Sequence, residues 1–109
     1  MDTIDVKFNK WDSDKLAASK KICITKLQKM GAVGDTFIYN NVKYIIIDVW
    51  IGNYSFIKDK LYLMEGADSK IEFDEEFKRK HPKIRDRDIV YAHFISIDLN
   101  DYGEKKYVY

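Results

Sequence analysis

The chain has 109 residues, 46% of them hydrophobic and 15% aromatic, which is enough for one folded domain over 1–109 with one core. Its formal net charge of +1 excludes the strongly basic surface that long duplex nucleic acid usually requires, so any nucleic-acid site must be local. The single cysteine, Cys23, excludes an internal disulfide, and no run is long enough for a membrane span or a signal peptide. We therefore expect a soluble cytoplasmic protein.

The first predicted elements are a short helix and a strand. Asp12 or Ser13 is placed to cap a helix that runs to about Ala18. Over 20–27, apolar and polar residues then alternate as in a half-buried strand. The alternation predicts two faces: Ile22 and Ile24 inward, and Lys21, Cys23 and Thr25 outward.

A β-hairpin is predicted next along the chain. A loop over 28–34 leads into a strand over 36–39, Asn40-Asn41 suits a tight turn, and the β-branched segment 42–50 forms the returning strand. We expect the sequence Ile51-Gly52-Asn53 to break this strand. The apolar segment 56–64 that follows is ambiguous between helix and strand.

Glu65 and Gly66 directly precede a well-capped amphipathic helix. Ser69 is placed to cap this helix, and Glu72 is expected to reach back to the backbone N–H of Ser69. Glu65 lies outside the helix, and Gly66 permits a turn with positive φ that aims Glu65 away from solvent. The apolar residues predicted to pack inward from this helix, before His81-Pro82 ends it, are Ile71, Phe73 and Phe77.

The last elements predicted are a strand over 89–98, a turn over 100–103 and a terminal edge strand over 105–109. Several strands with two short helices in about a hundred residues fit an α+β domain built around a small, partly closed barrel.

The charges are unevenly distributed along the chain. Five lysines and no carboxylate lie between 15 and 34, whereas 65–76 contains six carboxylates and one lysine. A second basic run follows over 78–87, and we interpret it as a solvated face. The first run is more informative because it enters a predicted strand.

Five short motifs follow one another along nearly the whole chain. They are the set Phe8, Trp11, Asp14 and Leu16, the segments 20–25, 33–37 and 90–94, and Glu65-Gly66 with the capped helix behind it. In this order they resemble the ASCH domain family. The resemblance implies a PUA-like β-barrel and binding of RNA or nucleosides. It also implies two alternative activities. Some small bacterial members of the family deacetylate N(4)-acetylcytidine, and others have been described as ribonucleases.

The resemblance also implies site residues. In the amidohydrolase-like members a lysine is followed three residues later by threonine and five residues later by arginine. We prefer the alignment that puts these on Lys20, Cys23 and Thr25, because a shift by one residue, onto Lys21 and Lys26, reverses the two faces of the strand. The glutamate before the capped helix matches Glu65 in either alignment.

In the preferred alignment Cys23 is the candidate nucleophile, Lys20 the base and Glu65 the acid. Lys20 and Cys23 point to opposite faces of a regular strand, so a bulge or bend is required to bring them together. A lone cysteine in an apolar strand is also typical of a small core residue. The residues assigned to ligand binding are Lys21, Thr25 and Lys26.

No cofactor or metal is predicted. His93 has no second histidine or cysteine nearby, and Gly31 and Gly34 lack the spacing of a phosphate-binding loop. Our leading hypothesis is a module that binds RNA or a modified nucleoside in a cleft lined by the lysines and Glu65. The alternatives are a hydrolase acting on the same ligands and a protein-interaction domain without a site.

Overall fold

The structure is a computed structural model and describes residues 2–99, so the turn and edge strand expected after 99 lie outside the described residues. The predicted α+β class is confirmed. There are three helices within this part of the chain rather than two, because the ambiguous segment contains one. In chain order the elements are α1 (Lys10–Ala17), β1 (Cys23–Lys26), β2 (Thr36–Tyr39), β3 (Val42–Asn53), α2 (Tyr54–Leu61), α3 (Lys70–Lys80) and β4 (Ile89–Ile97).

The four strands form one antiparallel sheet in the order β1-β4-β3-β2, curled into a half-barrel. β4 is central and pairs with β1 on one side and β3 on the other. The ladder between β3 and β4 shifts register between Ile46 and Asp48, which is a β-bulge at Ile47. β1 pairs with β4 without any such shift.

The predicted hairpin is confirmed. Asn40 and Asn41 have φ angles of 50° and 65°, the positive values that a two-residue hairpin turn requires at both positions. The predicted break over 51–53 is wrong, because β3 continues through these residues and pairs with the start of β4. Asn53 then caps α2 by accepting a hydrogen bond from the Phe56 N–H at 2.8 Å.

The caps of α1 and α3 differ in detail from those predicted. α1 is capped by Asn9, whose side chain accepts from the Asp12 N–H, and the Asp12 carboxylate is thereby left for other contacts. Ser69 caps α3 as predicted, with its hydroxyl accepting from the Glu72 N–H at 3.0 Å. The Glu72 carboxylate, however, accepts from the N–H of Asp68 at 2.8 Å, and not from that of Ser69.

The apolar face of α3 is narrower than predicted. Phe73 and Phe77 are buried, as expected, but Ile71 is 70% exposed. Phe73 and Phe77 are one helical turn apart on the same face, whereas Ile71 is two residues before Phe73 and therefore points to the opposite side.

Two apolar clusters pack against the two faces of the sheet. The first joins α2 and α3 to a face that includes Cys23 and Ala92. The second packs Leu16 of α1 against the face that carries Ile24 and Ile95. β1 is consequently covered on both faces, although it lies at an edge of the antiparallel sheet.

The predicted orientation of the strand at 20–27 is therefore partly wrong. Lys21, Cys23 and Thr25 do share a face, but all three are buried. Ile22, expected to point inward, is 49% exposed because it precedes the part of β1 that is covered on both sides. Ile24 is buried as predicted.

None of the helices within residues 2–99 is long and apolar enough to cross a bilayer.

The chain turns between α2 and α3 at Gly66, which has a φ of 97°, as the sequence predicted. A Cβ added at this glycine would lie 2.9 Å from Lys15 Cβ, closer than side chains pack. Gly52 in β3 offers a contrast, since its added Cβ would meet Phe56 Cδ2 at an ordinary 3.6 Å.

We expect Gly66→Ala to lower the free energy of unfolding by about 1–3 kcal/mol, because it combines an unfavourable φ with a clash. The matched variant Gly52→Ala should be accommodated with little change. Denaturant unfolding of both variants measures the difference, and equal midpoints for the two would contradict this account of the turn.

Candidate functional site

The Glu65 carboxylate is buried among polar partners, with the residue only 2% exposed. One carboxylate oxygen forms an ion pair with the Lys21 ammonium, and the other accepts a hydrogen bond from the Thr25 hydroxyl. The Lys21 ammonium also donates to the backbone carbonyl of Glu65 at 3.3 Å. The Gly66 turn and the face of β1 that carries Thr25 thus meet at one point.

Two further charges extend this contact. Lys21 Nζ lies 3.2 Å from Asp12 Oδ1, and the other oxygen of Asp12 accepts from Lys80 Nζ at 2.8 Å. The result is an alternating series of Glu65, Lys21, Asp12 and Lys80, which we call the buried charge network. Its formal charges cancel, and the ring of Trp11 lies 5.4 Å from Lys21 Nζ.

The network keeps its inner groups ionised. Burial alone disfavours the Lys21 ammonium, but the carboxylates of Glu65 and Asp12 outweigh it and raise the pKa of Lys21. Burial likewise acts to raise the pKa of Asp12, but Lys21 and Lys80 lower it overall. Lys21 is therefore a firmly held cation and a poor general base at neutral pH.

Cys23 shares the face of Lys21 and Thr25 but lies in the apolar core. Burial, reinforced by the negative charge of Glu65, raises the pKa of the Cys23 thiol well above its ordinary value. Reactive cysteines instead have lowered pKa values in exposed, electropositive surroundings. The core reading of this cysteine agrees with its position better than the nucleophile reading does.

The lysine that meets Glu65 is Lys21, and not Lys20. Lys20 is exposed, and the structure does not bring it to Glu65. Lys20 lies before β1, and the ladder that begins at Cys23 runs to Lys26 without a bulge. In a regular strand Lys21, Cys23 and Thr25 share a face, so the contacts follow the alternation along the strand. Lys21 is the lysine that the alternative alignment, shifted by one residue, matches to the family's site lysine.

Lys26 lies at the end of β1 and is half-buried. Its ammonium donates to the Lys7 carbonyl at 3.3 Å and lies 5.8 Å from the ring centroid of Phe8. Burial lowers the pKa of Lys26, and the positive charge of Lys80 adds to this effect.

A cleft of about 540 Å³ lies beside Leu27, the residue that follows Lys26. It runs from the end of β1 to the carboxyl end of α3 and the loop beyond, and Lys80 belongs both to its wall and to the buried charge network. The residues that line it are Leu27, Lys80, His81, Pro82, Lys83, Ile84 and Asp88.

Sequence reasoning missed Asp12 and Lys80 as members of the site. The sequence predicts only a capping role for Asp12 and a solvated position for Lys80. Helical spacing contains a signal for Lys80, since it follows Phe77 by three residues and Phe73 by seven, and so shares their buried face. Nothing in the local sequence identifies Asp12 as the partner of Lys21.

His93 is fully buried and has a structural role. Its Nε2 accepts from the Met30 N–H at 3.0 Å, and Nδ1 lies 3.0 Å from the Ile24 carbonyl and so donates to it. Burial lowers the pKa of His93. Within residues 2–99, no group of three or more histidine, cysteine or acidic side chains is arranged to hold a metal ion.

Two crystal structures resemble this fold. An ASCH domain from Lactobacillus crispatus JV V101 superposes with a TM-score of 0.64 and 14% identity, over 88% of this chain and 78% of that one. The hypothetical protein PH0355 superposes with a TM-score of 0.65 and 14% identity, over 90% of this chain and 100% of that one. No family model and no curated protein matches the sequence. The fold is therefore that of an ASCH domain.

The lowered pKa of Asp12 predicts a specific loss of stability in acid. A carboxylate with a lowered folded-state pKa contributes stability that is complete above its unfolded value of 3.8 and is lost as the pH falls through its folded pKa. We expect Asp12→Asn to flatten the fall in unfolding free energy below about pH 4. The control is Asp14→Asn, which removes an exposed carboxylate from the same helix.

Denaturant unfolding between pH 6 and pH 2 measures both slopes. The wild-type chain and Asp14→Asn should lose stability in parallel, whereas Asp12→Asn should start less stable and lose less. Parallel slopes for all three proteins would show that Asp12 is not held ionised by its lysines.

Proposed function

We propose that this chain, whose fold is that of an ASCH domain, binds RNA or a nucleoside in the cleft beside its buried charge network. The observation that carries the proposal is the convergence of Glu65, Lys21 and Asp12 from separate segments of the chain onto Lys80, a residue of the cleft wall.

This convergence is poorly explained by stability alone. Burying ions carries a desolvation cost that their attraction often only balances, and apolar residues of similar size frequently serve the fold as well. Coupled ionised groups beside a cleft are, in contrast, common at functional sites. The ligand class, RNA or nucleosides, is taken from the resemblance in sequence to the ASCH domain family. The neighbouring structures support the fold of that family.

The cleft offers two kinds of contact. Its apolar part, formed by Leu27, Pro82 and Ile84, suits the flat face of a base, and the ammonium of Lys80 suits a polar or anionic group. Both oxygens of Glu65 are already engaged. We therefore assign Glu65 a positioning role, in which it fixes Lys21 and, through Asp12, orients Lys80.

A hydrolase acting on the same ligands is the second candidate, and one contact favours it. The Thr25 hydroxyl donates to the Glu65 carboxylate, an arrangement in which a base can activate a hydroxyl nucleophile. Two observations weigh against it: Lys21 is held as a cation, and Thr25 is only 4% exposed, so a substrate must open the network to reach it. Binding without turnover is accordingly the primary proposal.

The proposal predicts that Lys80→Gln weakens binding about tenfold, the effect of losing about 1.4 kcal/mol from a charge-assisted contact. Lys78→Gln is the matched control, because it removes the same charge from the same helix at an exposed position. The ligands are cytidine, N(4)-acetylcytidine and a short single-stranded RNA, measured by calorimetry.

Deacetylation and strand cleavage are followed in the same samples. Binding of at least one ligand, weakened by Lys80→Gln and retained by Lys78→Gln, supports the proposal, and turnover that is lost in Thr25→Val would favour the hydrolase instead. No binding of any of the three ligands by the wild-type chain would overturn both.

A further inference from the structure

The positive charges around the cleft are incompletely compensated. Lys80 is paired with Asp12, but neither Lys26 nor Lys83 forms an ion pair with a carboxylate among residues 2–99. The carboxylate among the cleft-lining residues, Asp88, is engaged by Arg85, with Nη2 to Oδ1 at 2.9 Å and the backbone N–H to Oδ2 at 2.9 Å.

His81 lies within this positive field. Its ring packs 4.8 Å from that of Phe77, and it lines the cleft between Lys80 and Lys83. Burial lowers the pKa of His81, and the charges of Lys80 and Lys26 lower it further. The positive charges on this side of the cleft therefore disfavour protonation of His81, and a bound anion would reduce this effect.

The shape of the cleft fits an anion attached to an apolar ring. Its volume of about 540 Å³ lies within the range of small-molecule sites, and its apolar wall adjoins its basic wall. A free nucleoside would cover the apolar wall but would bring no negative charge to the cations. A phosphate monoester, with a charge of about −1.5 to −2 at pH 7, would neutralise them, and RNA diesters would do so in part.

We propose that the cleft contains a phosphate subsite formed by His81 and Lys83 with Lys26 beside it, so that the ligand is a nucleotide or RNA rather than a free nucleoside. This inference rests on the proposed function for the identity of the ring. The anion subsite itself rests on the arrangement of the basic residues alone.

The two histidines of the chain allow a direct test, since His81 lines the cleft and His93 is buried away from solvent. The imidazole signals are titrated by NMR with cytidine, cytidine 5′-monophosphate, an RNA trimer without terminal phosphate, and inorganic phosphate. The charged groups that act on His81 in this titration are Lys80 and Lys26, and Lys83 and Asp88 also line the cleft.

We expect cytidine 5′-monophosphate to bind at least tenfold more tightly than cytidine and to raise the pKa of His81 but not that of His93. Lys83→Gln and Lys26→Gln should each reduce this preference several-fold. Lys10→Gln, which removes an exposed charge that lies outside the cleft, should leave it unchanged.

Each outcome decides between the claims. Equal affinity for cytidine and its monophosphate, or an unmoved His81, overturns the phosphate subsite and leaves the proposed function intact. Inorganic phosphate that raises the pKa of His81, without binding of any nucleoside, nucleotide or RNA, supports the subsite and overturns the proposed function. The RNA trimer distinguishes the source of the phosphate, since tighter binding than the monophosphate indicates a diester backbone.

Discussion

The ion pair between Lys21 and Glu65 links two segments that are 44 residues apart in the chain. Lys21 stands just before β1, and Glu65 stands in the turn between α2 and α3. The backbone reinforces the junction, because the N–H groups of Ile22 and Cys23 both donate to the Met64 carbonyl, at 2.8 and 3.1 Å. The Lys21 ammonium has a further donor for Asp12, and the second carboxylate oxygen of Asp12 accepts from Lys80.

Both charged groups of this ion pair are buried, so the loss of either one destabilises the fold. A buried ammonium without a carboxylate beside it is strongly unfavourable, and so is a buried carboxylate without a cation. Each partner therefore requires the other. Gly66 is part of the same constraint, since its positive φ and the nearby Lys15 side chain leave no room for a Cβ. The charges inside the fold and the backbone of the turn therefore depend on each other.

Local features of the fold were predictable from sequence because they depend on neighbouring residues. The paired asparagines specify a hairpin, Ser69 specifies a helix start, and Gly66 specifies a turn, each through its own backbone chemistry. The prediction for Ile71 was wrong because a residue two positions before Phe73 lies on the opposite, exposed side of α3. Asn53 does not break β3 but ends it by capping the next helix, α2.

The candidate site was only partly predictable. Glu65 was singled out because no local role accounts for it, and its contacts with Lys21 and Thr25 agree with that reasoning. The choice between Lys20 and Lys21 depended on which face of the strand is covered, and tertiary packing covers both faces of β1. Asp12 reaches the site from α1, a long-range relation that a single sequence does not contain.

These contacts also bear on the choice between binding and catalysis. Acyl transfer needs a nucleophile and a base whose pKa values suit neutral pH, whereas here the lysine is stabilised as a cation and the thiol as a neutral group. A network that holds its charges fixed is better suited to presenting a cation to a ligand than to moving protons. The hydrogen bond from the Thr25 hydroxyl to the Glu65 carboxylate is the contact that still favours a hydrolase.

The central claim is that Lys21 and Glu65 stabilise each other inside the fold, and a double-mutant cycle on unfolding free energy tests it most directly. We expect Lys21→Met and Glu65→Gln each to cost about 3–5 kcal/mol, because each leaves the buried charge network with one unbalanced charge. The double variant should cost clearly less than the sum, with a coupling of up to about 3 kcal/mol. Additive losses would show that the two residues do not depend on each other, and would contradict this account of the site.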